Sequence, residues 1–295
     1  MRQRASARRR RIVLPEVGDA RVQEARTRLA AERLVDPVWV ENPAADERLT
    51  QVAEHIYDRR KHKGVTAESA VTLAKDPHYF AASLVALGFA DGCVAGSSAT
   101  TAHVVRAAIH CVGLAPTVAS VSSMFLMVRD TEALSYADCG VLPEPDTQQL
   151  TEIAELTAEN HRRFTSAEPR VAFLSFSTKG SADGDSVRKV RQATERFQRR
   201  NPSIPADGEL QFDAAYVPEV AARKAPGSEV AGRANVLVFP DLDSGNLAYK
   251  ITERLGGFQA FGPLLQGLRR PCLDLSRGCT ADDIVWVAAL AALMA

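Results

Sequence analysis

Short apolar runs alternate along the chain with amphipathic stretches of helical periodicity. Strands are predicted at Ile12–Leu14, Val38–Val40, Gly92–Ala95, Phe125–Val128, Val171–Leu174, Asn235–Phe239 and Pro271–Leu275. Helices are predicted at Asp19–Leu34, Thr101–Cys111, Ser186–Gln198, Gly245–Leu255 and Ile284–Met294. Runs such as Val236–Phe239 are apolar at every position, which is typical of strands covered on both faces. Because strand–loop–helix alternation implies right-handed crossovers, the pattern predicts a doubly wound α/β protein with mostly parallel sheets.

Length and turn residues predict two domains. A chain of 295 residues is long enough for two α/β units, each with its own core. Pro116 and the serine-rich Ser120–Ser123 mark one boundary, and Gly262-Pro263 marks another. Ligands of open α/β sheets bind beyond the carboxyl ends of the strands, so the loops there are expected to carry the chemistry.

Charge is balanced over the whole chain, with 36 Lys and Arg against 36 Asp and Glu. No net field therefore favours a nucleic acid or a membrane as partner, and any anion site must be local. The leader Met1–Arg11 has six arginines and no acid, and it is interpreted as a solvated, disordered arm, with polyanion binding as the alternative. The apolar run Ile284–Ala295 is too short to span a bilayer and is interpreted as a buried helix.

Cysteines and histidines are scattered. The five cysteines form no CxxC pair, a pattern that fits a reducing cytoplasm better than a disulfide framework. His103 and His110 can share a helix face, but the neighbouring sequence offers no third ligand. We therefore predict no metal site.

Two hydroxyl-rich loops follow predicted strands. Ser175–Ser181 offers the hydroxyls of Ser177 and Thr178 and the ammonium of Lys179 before a helix, which is a natural phosphate cradle without the Walker A pattern. Gly96–Thr101 offers Ser97 and Thr100, with Arg106 on the helix that follows. Either loop can instead be an ordinary helix start, and for the second loop helix capping is favoured on residue types alone.

A third loop, Asp274–Asp283, combines a cation with a helix start. Thr280 and Asp283 have the spacing of a capping box for the apolar helix that follows. Ser276 and Arg277 come just before that helix, whose N-terminus is electropositive, and the forked guanidinium suits a phosphate. The alternative is that Asp283 is only a capping carboxylate and Arg277 its surface ion-pair partner.

Six segments together resemble the phosphate acetyltransferase/phosphate butyryltransferase family, and the likeness runs from Ile12 to the C-terminus. The carriers are Arg60–Gly64 (RKHKG), Leu174–Ser181 (LSFSTKGS), Asp207–Gln211 (DGELQ), Lys224–Ser228 (KAPGS), Phe239–Asn246 (FPDLDSGN) and Asp274–Cys279 (DLSRGC). Each is weak alone, whereas six in family order are specific. Around Arg106 the sequence departs from the family's usual Asp-Thr-Leu-Arg-Pro, and the chain resembles the short form without a large regulatory region.

The resemblance implies two α/β domains similar to isocitrate and isopropylmalate dehydrogenases, with the active site in the interdomain cleft. The first domain would comprise residues 1–118 completed by 262–295, and the second residues 119–261. The implied activity is reversible acetyl transfer between acetyl phosphate and coenzyme A through a ternary complex. Coenzyme A would be a substrate, with no tightly bound cofactor, and the enzyme would be a cytoplasmic homodimer.

The family pattern also implies roles for single residues. Ser276, Arg277 and Asp283 fall on its catalytic serine, arginine and aspartate. Arg60 and Arg106 fall on arginines used for substrate, and Arg21 on one linked to coenzyme A. Since an exposed aspartate is a weak base for a thiol, we expect Asp283 to be partly buried with a raised pKa, or proton removal to be concerted with attack. Cys279 is expected to be a small buried thiol rather than a nucleophile.

Three other functions stay open on the sequence. A non-catalytic acyl-coenzyme A sensor would keep the fold without turnover. A phosphate butyryl- or propionyltransferase would differ only in a few pocket side chains. A decarboxylating dehydrogenase would need a metal, for which only Asp241 and Asp243 are candidates, and these are also favoured turn and cap residues.

Overall fold

The computed structural model describes residues 1–295, which form ten strands and twelve α-helices. The strands are β1 (Arg11–Val13), β2 (Asp36–Val38), β3 (Gly92–Ala95), β4 (Ser122–Arg129), β5 (Glu132–Ala137), β6 (Val171–Leu174), β7 (Ala206–Leu210), β8 (Val236–Val238), β9 (Gln259–Gln266) and β10 (Cys272–Asp274). The helices are α1 (Arg2–Ser6), α2 (Ala20–Ala31), α3 (Leu49–Arg60), α4 (Ala67–Ala74), α5 (Pro77–Ala86), α6 (Thr101–Cys111), α7 (Thr147–Thr165), α8 (Asp185–Arg200), α9 (Phe212–Tyr216), α10 (Pro218–Lys224), α11 (Leu242–Arg254) and α12 (Ala281–Met294). The chain divides into two compact units, unit 1 (Met1–Thr117 with Gly267–Ala295) and unit 2 (Val118–Gln266).

Unit 1 is built on a four-stranded, wholly parallel sheet in the order β10-β3-β1-β2. Val13 and Cys93 belong to a core shared with α3, α5 and α6. The alternating residues Ile12 and Val94 are equally buried and point to the opposite face, since successive strand side chains alternate. α12 packs against β1, β3 and β10 and against α2. The carboxyl ends of β10, β3 and β1 therefore lie side by side.

Unit 2 holds a six-stranded mixed sheet in the order β7-β6-β8-β5-β4-β9. The first four strands are parallel, whereas β4 pairs antiparallel with both β5 and β9. β9 keeps pairing with β4 as far as Gln266, opposite Ser122. The predicted boundary at residue 262 therefore falls inside a strand, because the proline after Gly262 breaks the apolar pattern without ending the pairing.

The two chain ends pack together in unit 1. α12 is buried along most of its length, as the sequence predicts. The leader differs from the expected disordered arm, because residues 2–6 form α1 against α12 and Ala5 is fully buried. Arg2 lies over the ring of Trp286 at 4.3 Å and pairs with Glu32 at 2.9 Å, so this arginine anchors the leader. None of the helices combines the length and the hydropathy that crossing a bilayer requires.

Candidate active site

Three segments meet at the carboxyl edge of the sheet in unit 1. They follow β1 (residues 14–19), β3 (residues 96–100) and β10 (residues 275–280), and these strands are neighbours in the order β10-β3-β1. Every residue that the sequence analysis places in this unit as a site residue, except Arg60 and Arg106, belongs to these segments or to the first turns of α2 and α12. This edge is where parallel α/β sheets bind ligands.

The carboxylate of Glu16, after β1, is enclosed by the loop after β3. It accepts hydrogen bonds from the backbone N–H groups of residues 96–99, at 2.8–3.0 Å, and from the hydroxyls of Ser97 and Ser98. Burial alone would raise the pKa of Glu16, but the hydrogen bonds from His78, Ser97, Ser98 and Ala99 lower it well below its usual range. The loop is thus an anion nest whose anion belongs to the protein. We call it the Glu16 nest.

Two histidines and an aspartate stand behind the Glu16 nest. His78 lies between Glu16 and Asp76, with nitrogen–oxygen distances of 3.4 Å to each, and His103 Nε2 lies 3.1 Å from Asp76. The fold therefore places two ligand-type side chains, Asp76 and His78, beside His103, although neither is near it in the sequence. Burial would lower the pKa of His78, but Asp76 and Glu16 raise it to about 9. His78 is therefore a cation at neutral pH, and in that form both of its ring nitrogens are donors with no lone pair for a metal ion.

Arg21 joins all three segments. Nε and Nη2 donate to the carboxylate of Asp19 at 3.1 and 2.6 Å, and Nη2 also donates to the carbonyl of Ser97 at 2.8 Å. Nη1 donates to the carbonyls of Arg277 and Cys279 at 2.9 and 2.8 Å. These bonds engage all five N–H groups of the guanidinium. In this structure Arg21 holds the segment after β10 in place and has no donor left for a ligand.

The segment after β10 leaves its polar side chains open. Ser276 and Arg277 are exposed, and the Arg277 guanidinium makes no hydrogen bond or ion pair. Ser276 Oγ accepts from Gly278 N at 3.2 Å, so its proton remains available for donation. Both residues lie just before α12, whose N-terminus is electropositive. The arrangement can therefore bind an anion.

Asp283 closes a capping box at the start of α12. Its Oδ2 accepts from the N–H and the hydroxyl of Thr280, both at 2.8 Å, whereas its Oδ1 has no partner. The residue is half-buried, as expected from the sequence. Cys279, the residue before Thr280, is buried, and burial raises the pKa of its thiol to about 11. Since the thiolate is the nucleophile, Cys279 is a poor one at neutral pH.

Asp274, the last residue of β10, was not recognised as part of the site from the sequence. It is fully buried, Thr101 donates to its Oδ2 at 2.6 Å, and its Oδ1 has no partner. Burial raises the pKa of Asp274 to about 7. Only glycine fits opposite, because a Cβ at Gly96, whose φ is +107°, would overlap this carboxylate. Asp274 thus ties the start of the segment after β10 to α6 and to the Glu16 nest.

Arg60 and Arg106 both act on the ring of His110. Burial and then these two guanidinium groups lower the pKa of His110, so both are within electrostatic reach of that ring. Neither arginine makes an ion pair or a side-chain hydrogen bond. Thr100 is the N-cap of α6, as the capping interpretation predicts, and it accepts from His103 N at 3.3 Å. Arg60 and Arg106 thus have no partner within the protein, while the hydroxyls of Ser97 and Thr100 are already bonded within it.

The hydroxyl-rich loop of unit 2 also encloses a carboxylate. Glu209, on β7, accepts from Ser177 Oγ and Gly180 N, both at 2.9 Å, and from Arg191 at 2.8 Å. Burial would raise the pKa of Glu209, but the Arg191 guanidinium and the N–H of Gly180 lower it to about 2. We call this loop the Glu209 nest. The sequence motif LSFSTKGS contains none of these acids.

The other two predicted residues of this loop are also bonded within unit 2. Thr178 accepts from Gln211 N at 2.9 Å. The ammonium of Lys179 pairs with Asp207, which also accepts from Ser228 Oγ at 2.5 Å. Lys179 is exposed, but its ammonium is held by the buried carboxylate of Asp207.

Comparison with known proteins identifies close relatives. The chain matches the family model of phosphate acetyl/butaryl transferase over residues 1–292. A phosphate acetyltransferase from Acetivibrio thermocellus is 44% identical over 310 residues, spanning 96% of this chain and 93% of the relative. The crystal structure of a phosphotransacetylase from Streptococcus pyogenes has a TM-score of 0.94 at 42% identity, with 99% of this chain and 95% of that chain covered. A Salmonella typhimurium protein described as a 4-hydroxythreonine-4-phosphate dehydrogenase has a TM-score of 0.56 at 13% identity and covers 97% of this chain and 99% of its own, which shows a shared fold alone.

Proposed function

This chain belongs to the phosphate acetyl/butaryl transferase family, and we propose that it transfers an acetyl group between coenzyme A and inorganic phosphate. The observation that carries the proposal is the pair Ser276 and Arg277, open and unpartnered at the electropositive start of α12. A free guanidinium beside a free hydroxyl suits the phosphoryl group of acetyl phosphate. The half-buried carboxylate of Asp283, in the first turn of α12, suits the role of proton acceptor.

The thiol of coenzyme A attacks the carbonyl carbon of acetyl phosphate, and the bond between that carbon and the phosphate oxygen breaks. The phosphate leaves with the electron pair of that bond, and its charge grows as it leaves. A fixed guanidinium aimed at it therefore stabilises the transition state more than the ground state, which is the role of Arg277. The hydroxyl of Ser276 donates to the phosphate or to the developing carbonyl oxyanion.

Asp283 takes the thiol proton on Oδ1, because Oδ2 is held by Thr280. An aspartate is ordinarily about four to five pKa units less basic than a thiolate, so proton removal is concerted with attack rather than complete before it. The proton ends on the departing phosphate, and the carboxylate is restored. In the reverse direction Asp283 returns the proton to sulfur.

The remaining predicted residues divide into two groups. Arg60 and Arg106, which are free of ion pairs and both within electrostatic reach of His110, bind the anionic part of a substrate. Arg21, Ser97 and Thr100 position the site, because their donors and acceptors are engaged by the protein. In unit 2 the Glu209 nest shapes the loop from Ser177 to Lys179, and the ammonium of Lys179 is held by Asp207.

We also propose that the protein is a cytoplasmic homodimer. The helix α11 and its C-cap residue carry Leu247, Ile251 and Leu255 at a spacing of four residues, with 59%, 55% and 85% of their surfaces exposed. Such an apolar stripe is typical of a surface covered by a second subunit, and it supports a homodimer. All five cysteines are buried free thiols, which supports a reducing, cytoplasmic location.

Thioester absorbance with acetyl phosphate and coenzyme A tests the activity. We expect turnover by the wild type and a loss of about 10²–10³-fold in kcat/KM for Arg277→Ala, the cost of one transition-state donor. Arg199→Ala, which removes an exposed arginine of α8, is the matched control and retains wild-type rates. No thioester formed by the wild type would refute the proposal, and equal losses in both variants would remove Arg277 from the mechanism.

A further inference from the structure

A cavity of about 740 Å³ lies in unit 1 beside α2, on the outer edge of the sheet. Its walls come from the segments after β1 and β2 and from the outward face of α2, and they include Gly18, Arg26, Trp39 and Glu41. The volume is that of a pocket for a small ligand. We call it the Trp39 cavity, and none of its wall residues takes part in the reaction described above.

The side chains of the Trp39 cavity combine three kinds of contact. The guanidinium of Arg26 lies 4.3 Å from the centre of the Trp39 ring. Arg26 and Glu41 are exposed, and neither makes a side-chain hydrogen bond or an ion pair. An indole, a guanidinium that lies over one of its faces with its N–H groups free of hydrogen bonds, and an uncommitted carboxylate together match a purine nucleotide. The base stacks on the indole, its amino group donates to the carboxylate, and a phosphate pairs with the guanidinium.

The cavity also lies at a useful distance from Ser276. Trp39 follows β2 and Ser276 follows β10, at opposite edges of the sheet order β10-β3-β1-β2. Three strand spacings of about 4.8 Å separate the two carboxyl ends by roughly 14 Å. The pantetheine arm of coenzyme A has about a dozen chain bonds and spans roughly 15 Å when extended, at about 3.5 Å for every three bonds. A nucleotide in the cavity can therefore deliver its thiol to the segment after β10.

From these observations we infer that the Trp39 cavity binds the adenine nucleotide end of coenzyme A, with Trp39 as the stacking surface and Arg26 as the phosphate contact. This inference rests on the proposed acetyl transfer for the identity of the nucleotide. Arg21 cannot take the phosphate contact in this structure without giving up bonds that hold the segment after β10.

Fluorescence gives a test that needs no turnover. The chain has two tryptophans, so Trp286→Phe leaves Trp39 as the only indole. Adenosine 3′,5′-bisphosphate, which has the nucleotide end but no pantetheine arm, is titrated into this variant. We expect saturable quenching of Trp39 by the bisphosphate and the same quenching by coenzyme A, with no further quenching when coenzyme A is added to protein saturated with the bisphosphate. An unchanged spectrum, or additive quenching by the two ligands, would overturn the inference.

Kinetics with two acceptors separate the nucleotide site from the chemistry. Trp39→Leu is expected to raise the KM for coenzyme A about ten-fold, the effect of one lost base–aromatic stack, with kcat and the KM for acetyl phosphate unchanged. With pantetheine as acceptor, which lacks the nucleotide, Trp39→Leu and wild type should have equal kcat and equal KM for the acceptor. Trp286→Phe should have wild-type values of both constants with either acceptor. Equal losses with both acceptors, or an unchanged KM for coenzyme A, would refute the assignment.

The outcomes distinguish this inference from the proposed function. If Trp39→Leu does not fold by circular dichroism, the quenching experiment in Trp286→Phe decides alone. Competitive quenching without any thioester formation would refute acetyl transfer and support nucleotide binding at Trp39. Thioester formation without quenching would support acetyl transfer and refute nucleotide binding at Trp39.

Discussion

Two neighbouring segments of unit 1 have similar compositions, but the donors of one are bonded within the protein and those of the other are not. The loop after β3 and the segment after β10 both offer serine hydroxyls and backbone N–H groups before a helix. In the first, the donors of residues 96–99 converge on the carboxylate of Glu16. In the second, Ser276 and Arg277 have no acidic partner. The first segment is therefore scaffold, and the second is free to bind a ligand.

The comparison teaches that a hydroxyl-rich loop at the end of a strand is not by itself a ligand site. The deciding fact is whether an internal carboxylate already fills the nest, because donors bonded to a buried anion are not available to a dissolved one. The Glu209 nest repeats the arrangement in unit 2, where the loop from Ser177 to Gly180 encloses an acid from the neighbouring strand. Of the three hydroxyl-rich loops, only the one after β10 stays open.

The largest expected effect is the loss of the Glu16 nest. Glu16→Gln keeps the size of the side chain but removes the charge that faces His78 and the backbone N–H groups of residues 96–99. We expect the free energy of unfolding at neutral pH to fall by about 3–5 kcal/mol, the usual effect of breaking a buried pair from one side. Urea unfolding followed by circular dichroism measures this.

Glu24→Gln on the exposed face of α2 is the control for Glu16→Gln and should change the free energy of unfolding by less than about 0.5 kcal/mol. A Glu16→Gln protein as stable as wild type would contradict the view of the nest as scaffold. The contrast between the two segments would then have no energetic basis.

A pH-dependent effect is expected for Asp274, which anchors the start of the segment after β10. Its pKa is raised to about 7 in the folded protein, above the ordinary value of about 3.9. This group therefore contributes stability at low pH that is lost as pH rises through about 7. Asp274→Asn removes the titration, so the variant should gain stability relative to wild type as pH rises from about 5 to about 8. Unfolding in urea across this range measures the difference, and a pH-independent difference would argue against a buried titrating carboxyl.

The smallest effects sharpen the comparison most directly, through one serine from each segment. Ser97→Ala removes a buried donor to Glu16 and should lower the free energy of unfolding by about 1–2 kcal/mol, with kcat little changed. Ser276→Ala should leave the free energy of unfolding within about 0.5 kcal/mol of wild type and lower kcat at least about ten-fold. Urea unfolding and thioester absorbance measure the two quantities. The opposite pattern would reverse our assignment of scaffold and site.

Much of the fold was predictable from local pattern. The strands Gly92–Ala95 and Val171–Leu174 and the helix Thr101–Cys111 have the predicted bounds, because each is an apolar or amphipathic run with a clear start. Strand β5 was missed, since Ser135 interrupts its apolar run, although that hydroxyl is buried against His161 at 2.9 Å. Family membership, predicted from six motifs, is confirmed by the match over residues 1–292.

The site was predictable in part. Residue types and the capping-box spacing were enough to select Ser276, Arg277 and Asp283 as candidates, and their substrate roles stay predictions. The sequence did not indicate that loops would enclose Glu16 and Glu209, because the backbone and hydroxyl donors of those loops lie 80 to 83 and 29 to 32 positions away. A pattern along the chain cannot reveal which carboxylate a distant loop will enclose.

By itself, the order of apolar and polar residues determined the α/β alternation, the doubly buried strands and the helix capped by Thr280, since each shows in the local pattern of the sequence. Only the tertiary structure decided which hydrogen-bond donors are already engaged within the protein. Hydrogen bonds between segments far apart in the chain form when neighbouring strands bring their ends together, and these bonds left the guanidinium of Arg277 open while they engaged every N–H of Arg21.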